Sequence, residues 1–166
     1  MALRHLPPAP SAVEPPAFAG TDHPMRKVTR QVAFDGAWDA ERAAKVAALF
    51  DSMAAGWTAD HDSPERLAPL IDALERGDVP RGRVLELGSG TGVGTRVLAE
   101  ADLGPIVALD LALEMLRHAP PALGHRVHGD AAALPIAPAS VDVVVMLNAL
   151  LFPTQVDEVL APGGAI

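Results

Sequence analysis

An apolar run that breaks into alternating glycines and then resumes at helical spacing constrains this chain more than any other feature. The stretch reads RVLELGSGTGVGTRVLAE, residues 83–100. Leucine and β-branched residues in RVLEL predict a short strand, and GVGTRVLAEA predicts a helix, so the glycines form the turn between them. Gly88, Gly90 and Gly92 alternate along that turn. Glycine reaches positive φ at little cost and lets a ligand approach the backbone with no Cβ in the way. An ordinary tight turn needs fewer glycines than this, so the stretch reads as a binding turn.

The pattern repeats downstream. PIVALD predicts a second strand, ALEMLRHA a helix, HRVHGD a third short strand with its turn, and VDVVVML a fourth strand apolar on both faces. PTQVDEVL reads as a helix with Thr154 and Asp157 as a capping box, and APGGAI as a turn with the first residues of a further strand. Alternating strands and helices imply an α/β, Rossmann-like fold, a mostly parallel sheet with helices on both faces and right-handed crossovers. A strand apolar on both faces belongs inside such a sheet. Ligands of these sheets bind at the carboxyl ends of the strands, near the topological switch point, where the glycine turn lies.

Upstream, residues 1–36 are expected to be a mobile Pro/Ala-rich arm, and residues 37–166 a single binding domain whose N-terminal helices occupy 37–80. In WDAERAAKVAALFDSMAAGW, Asp39 is the expected N-cap, Gly56 the expected end, and Val46, Leu49, Phe50 and Met53 the expected inner face. In SPERLAPLIDALERG, Ser63 caps, Pro64 takes the first helical position, Leu67, Leu70, Ile71 and Leu74 repeat at helical spacing, and Gly77 closes. Pro69 is expected to kink this helix without ending it.

Composition excludes several classes. The chain has 166 residues, 49% of them hydrophobic, and a formal net charge of -8. That suits one globular domain and disfavours nucleic acid, which selects a concentrated basic surface. The chain contains 0 cysteines, which removes disulfides, thiolate metal sites and a cysteine nucleophile. No apolar run approaches the roughly 18 residues of a membrane helix, and the N-terminal prolines break any secretory h-region. A cytoplasmic protein with no membrane span is expected.

The residues around the turn narrow the ligand. A dinucleotide fingerprint G-x-G-x-x-G fails in every register, because Val93, Thr95 or Val97 stands at its third glycine. A P-loop needs a lysine that GTGVGTR lacks. Glu86, at the strand end, sits poorly beside a pyrophosphate but well beside the ammonium and sulfonium of S-adenosylmethionine. Its plain alternative is an exposed charge at the strand tip. Asp110 ends the second strand, where a carboxylate accepts ribose hydroxyls. It serves NAD equally well, and it also suits a helix cap. Asp130, after the third strand, is placed for an adenine amino group, with the Ala131 N–H for a ring nitrogen and Leu111 against the base. An Asp that bonds its own turn is the alternative.

Together these residues resemble the class I S-adenosylmethionine-dependent methyltransferases. VLELGSGTG is similar to the first motif of that superfamily, VALDLALEML to the second, GDAAALPIAPASVDVVV to the third-to-fourth-strand block, and VLAPGG to the RVLKPGG turn before the fifth strand. KVAALFDSMAAGWTADHD resembles the FDxxAxxYD segment of the quinone-methyltransferase-like (methyltransferase type 11) branch. The resemblance implies S-adenosyl-L-methionine as cofactor. Glu86, Gly88, Ser89, Gly90 and Gly92 would face its methionine part, Asp110 the ribose, Leu111, Asp130 and Ala131 the adenine, and Asn148 the methionine end near the transferred methyl. Trp57 and Thr58 replace the usual Tyr-Asp pair, Ala112 a frequent serine, and Val141 a common Phe.

The superfamily's sheet has seven strands, whereas this sequence stops as the fifth begins. The expectation is therefore an incomplete C-terminal half, a fragment of a longer enzyme, with an open sheet edge prone to self-association. The implied function is methyl transfer to a small-molecule acceptor. The alternative is a non-catalytic or fragmentary cofactor-binding domain with an interaction role. Of His5, His23, His61, His118, His125 and His128, only His61 falls near the expected pocket mouth, and it reads as an exposed loop histidine. No catalytic residue and no metal ligand is assigned.

Overall fold

Strands that are apolar on both faces must be covered on both faces, and this requirement organises the molecule. A computed structural model describes residues 28–32 and 36–166. In it, β1 (Val84–Leu87), β2 (Ile106–Asp110), β3 (His125–His128), β4 (Val141–Met146) and β5 (Leu160–Ala165) form one 5-stranded sheet. Their order is β3-β2-β1-β4-β5, and every neighbouring pair is parallel. The order reverses between β1 and β4, which makes the carboxyl end of β1 the switch point. The glycine turn leaves the sheet there.

The helices that cover the strands or brace them are α1 (Ala40–His61), α2 (Pro64–Arg76), α3 (Val93–Glu100), α4 (Leu113–His118) and α5 (Pro153–Val159). Alternation along β1 sends Val84 to one face, with Leu67 and Leu70 of α2 and Val97 and Leu98 of α3. Leu85 and Leu87 go to the other, with Val156 and Val159 of α5. The expected parallel α/β sandwich is what forms. Residues 28–32 make a short helical turn with Val32 buried. The rest of the expected arm lies almost entirely outside the described residues.

Four local expectations are corrected. Helix α1 runs through Gly56 to His61, because Thr58 bonds Thr91 on the glycine turn and Trp57 packs against Ala112 and Met115, contacts that offset the roughly 1 kcal/mol cost of a mid-helix glycine. Its inner face is also rotated. Ala43 and Ala54 are buried, Phe50 and Trp57 pack against Ala112 and Met115, and Leu49 and Met53 remain 46% and 37% exposed. The small alanines let α1 lie close to α4, so size rather than hydrophobicity selects the face. The capping box at Thr154 and Asp157 does not form: α5 starts at Pro153 with Phe152 as its N-cap residue, two residues earlier than a Thr154 cap requires, and has no side-chain cap. The last strand begins at Leu160 rather than near the terminal glycines, and its pairing with β4 shifts register between Val141 and Val143. The caps at Asp39 and Ser63 form as expected, and α2 continues through Pro69.

Helix α4 lacks a cap of its own, since its N-cap residue is Ala112. Asp51 of α1 supplies one from a distance: its Oδ1 accepts from the Glu114 backbone N–H at 2.8 Å. Replacing Asp51 by Ala is expected to lower stability by about 1 kcal/mol, the usual cost of a lost N-cap, as read by urea denaturation.

Candidate functional site

The turn after β1 is built from three residues in the left-handed region, Gly88 at φ +70, Gly90 at φ +57 and Gly92 at φ +83. At Gly88 a side chain is excluded twice over, because a Cβ there would stand 2.7 Å from the Ala149 Cβ in the loop after β4. The turn is tethered to the end of β2: the Gly88 and Ser89 N–H groups donate to the Leu109 carbonyl at 2.9 and 3.1 Å, and the Gly90 N–H donates to Asp110 Oδ2 at 2.7 Å. Ser89 is buried and its Oγ has no hydrogen-bond partner. An orphaned buried hydroxyl is costly, and a ligand or water at the turn would relieve it.

Asp110 is 9% exposed, and its other oxygen accepts from the Ala112 N–H at 2.8 Å. Burial pushes its pKa up, opposed by these backbone donors, while the nearby Asp51 carboxylate adds to the rise. A carboxylate has about four acceptor positions, so beyond its backbone donors Asp110 retains acceptor capacity for a ligand. The capping role and the ligand role are compatible here.

Glu86 is not the exposed strand-tip charge of the plain alternative; it is 2% exposed. Strand alternation turns it toward α3, where the Thr95 hydroxyl donates to its Oε2 at 2.5 Å. Its other oxygen lies over Gly94, where a Cβ would collide with it. Burial pushes its pKa up to about 7, with the Thr95 bond lowering it and Asp110 raising it further.

On the opposite side, Asp130 follows β3. Its Oδ1 accepts from the Ala132 N–H at 2.8 Å, so the turn-bonding role is present, and its Oδ2 accepts from the Trp38 indole N–H at 2.8 Å. Ala131 and Leu111 are half-buried, and the Leu111 carbonyl contacts His128 Nε2 at 3.0 Å. Asn148 lies exposed beyond β4 at φ +59, a conformation that asparagine tolerates better than most residues. The residues expected at the site thus lie at or just past the carboxyl ends of β1, β2, β3 and β4.

His61 proves to be the last residue of α1 rather than a loop residue. Its ring stacks on Trp57 with centroids 3.6 Å apart and planes 8° from parallel, and its Nδ1 lies 2.9 Å from the Trp57 carbonyl. Trp57 Nε1 approaches Gly90, 3.5 Å from where a Cβ would sit. The Thr58 and Thr91 hydroxyls share a hydrogen bond of 2.7 Å. Among the described residues, no group of three or more His, Asp or Glu is arranged to hold a metal ion.

Sequence reasoning missed Trp38, Asp51, Thr91 and Thr95 as parts of the site's frame. Thr95 was legible in principle, since a buried carboxylate on β1 demands a donor from the helix that covers it. Trp38 and Asp51 act across the fold and leave no local signal.

Comparison with known proteins agrees with this geometry. Residues 84–164 match the family described as Methyltransferase domain. The chain is 34% identical to the demethylmenaquinone methyltransferase of Renibacterium salmoninarum, over 76% of this chain and 58% of that protein. It is 35% identical to the biotin biosynthesis bifunctional protein BioHC of Cellvibrio japonicus, over 72% of this chain and 24% of that protein. Among solved structures it resembles the methyltransferase in complex with the Trm112 methyltransferase activator of Haloferax volcanii, at 29% identity and a TM-score of 0.56, covering 69% of this chain and 57% of that one. The chain therefore spans about half of the length of these relatives, or less. Residues 84–164 are thus similar to a methyltransferase domain, and the relatives named for their activity are methyltransferases over the stretch they share with this chain.

Proposed function

We propose that this chain binds S-adenosylmethionine and serves methyl transfer to a small-molecule acceptor. The observation that carries the reading is the glycine turn tied by the Gly90 N–H to Asp110, with carboxylates at the tips of both β2 and β3. The residues present fit the cofactor. Gly88, Gly90 and Gly92 leave a cradle free of side chains, and the orphaned Ser89 hydroxyl and the spare acceptor positions of Asp110 await partners. In this reading Asp110 holds the ribose hydroxyls, and Asp130 and the Ala131 N–H hold the adenine edge with Leu111 beside it. Gly88, Ser89, Gly90, Gly92 and Asn148 border the methionine end. Glu86 acts through space, as a buried carboxylate beneath the turn that favours a cation above it.

The cofactor supplies an already activated methyl group on a positive sulfur. What remains for the protein is alignment and exclusion of water. The turn, anchored at both ends, and α1, clamped to it through Thr58 and Thr91, provide a rigid frame for alignment. A dedicated acid or base depends on the acceptor, and no residue is assigned that role.

The acceptor class is inferred from the relative named as a demethylmenaquinone methyltransferase, which favours a quinol-like aromatic. A second reading, a cofactor-binding domain with an interaction role, is favoured by the position of β5 at the sheet edge; a second copy pairing there would give concentration-dependent dimers in sedimentation. The lack of cysteine and the lack, among the described residues, of any helix long and apolar enough to cross a membrane suit a cytoplasmic setting.

Titration calorimetry with S-adenosylhomocysteine and NAD tests the binding reading: the first is expected to bind and the second not. Incubation with S-adenosylmethionine and reduced quinones then tests turnover. Release of S-adenosylhomocysteine supports the enzyme, and binding without release with any acceptor supports the second reading.

A further inference from the structure

One side chain ahead of α1 reaches two loops that leave the sheet far apart. The Trp38 indole N–H donates to Asp130 Oδ2, just past β3, at 2.8 Å. The same ring meets Phe152, in the loop past β4, edge to face at 5.4 Å. In the strand order, β2 and β1 lie between β3 and β4. At about 4.8 Å per strand, the two loops start roughly 14 Å apart. A residue that touches both ties the loop after β3 to the loop after β4.

We infer that Trp38 is a displaceable occupant of the adenine subsite, holding Asp130 until a ligand amino group replaces the indole N–H. This rests on the assignment of Asp130 to the adenine edge. Asp130 has one oxygen committed to the Ala132 N–H. Its Oδ2 is therefore the oxygen that a ligand donor needs, and it is the one that Trp38 uses. Both donors are N–H groups on a flat aromatic frame, so the indole satisfies in the unliganded protein the same carboxylate that adenine would satisfy in the complex. A half-buried carboxylate is thereby never left without a donor. Displacement frees the Trp38 ring to close over the base or to swing away with residues 36–39, and the swing exposes the site to ligand exchange. The equilibrium between held and released Trp38 lowers apparent affinity in proportion to the fraction of molecules held.

Calorimetry with S-adenosylhomocysteine on the full chain tests this with two variants. Trp38→Phe keeps a ring against Phe152 but removes the donor, and it is expected to bind roughly tenfold more tightly than the unmodified chain. Asp130→Asn, which turns an acceptor pair into one acceptor and one donor, is expected to bind at least tenfold more weakly. Unaltered affinity in Asp130→Asn would remove the adenine assignment and this proposal with it. Weakened affinity in Asp130→Asn with equal or weaker binding in Trp38→Phe would overturn the displacement alone. A measurement that needs no substitution in the protein observed follows the indole ¹⁵N–H resonances, of which 2 tryptophans give two. The Trp38 signal, identified by its loss in Trp38→Phe, is expected to move upfield on saturation with S-adenosylhomocysteine. A stationary signal in the saturated complex would sink the displacement.

Discussion

Replacing Asp110 by Ala is expected to reduce affinity for S-adenosylhomocysteine by roughly a hundredfold or more. In the proposed ribose role of Asp110, two charge-assisted hydrogen bonds to hydroxyls would be lost, each worth about 1.5–3 kcal/mol. The same substitution strips the Gly90 and Ala112 N–H groups of their acceptors, at 2.7 and 2.8 Å in the intact site. A buried donor left unsatisfied costs about 1–3 kcal/mol, so a fall in melting temperature is expected alongside the loss of binding. Asp110→Asn separates the two effects. Its single carbonyl oxygen still serves one of the backbone donors, so stability should recover in part while affinity stays low. If calorimetry on folded Asp110→Ala gives the affinity of the unmodified chain, the ribose assignment fails.

The second large effect concerns pH. The Glu86 carboxyl titrates near 7 in the folded protein because burial disfavours its charged form, against an ordinary value of 4.5. Below about pH 4.5 both folded and unfolded chains hold the proton, and no stability difference arises from this group. Between about 4.5 and 7 the unfolded chain releases the proton while the folded chain keeps it, so stability falls as pH rises through that window. Above 7 the penalty is complete, on the order of 3 kcal/mol. Glu86→Gln keeps an acceptor for the Thr95 hydroxyl and removes the titration. It is expected to be more stable than the unmodified chain at pH 8 by about that amount, to match it near pH 4.5, and to lack the slope between. Parallel pH profiles for the two proteins in urea denaturation would refute the account.

The parallel sheet was legible because its signals are local. RVLEL and VDVVVML announce strands covered on both faces, the alternating glycines announce the turn, and Asp110 and Asp130 fall at strand ends by counting along the chain. The helical boundaries were less legible, because tertiary contacts set them. Gly56 should have stopped α1, yet the Thr58 hydroxyl finds Thr91 on the glycine turn and the helix continues. Leu49 and Met53 should have faced inward, yet close approach to Met115 favours the alanine face. Ala112 looked like a lost cap, and the cap was present 61 residues earlier at Asp51 (112 − 51 = 61). The direction of Glu86 followed from strand parity and the covering helix, and its plain reading as a surface charge ignored both. Trp38, like Asp51, had no sequence signal, because its two partners meet only when the sheet has formed.

The pair of cross-links from α1, Thr58 to Thr91 and Asp51 to the start of α4, has a consequence for what counts as the smallest autonomous unit. The stretch that carries the family match begins at residue 84, but its second helix would start with no acceptor for Glu114 and with Met115 bared to water. Excised at that boundary, the strands would keep their order while the cradle lost its outer brace. The half of the sequence that carries the family match therefore depends for its finish on the half that lies outside it.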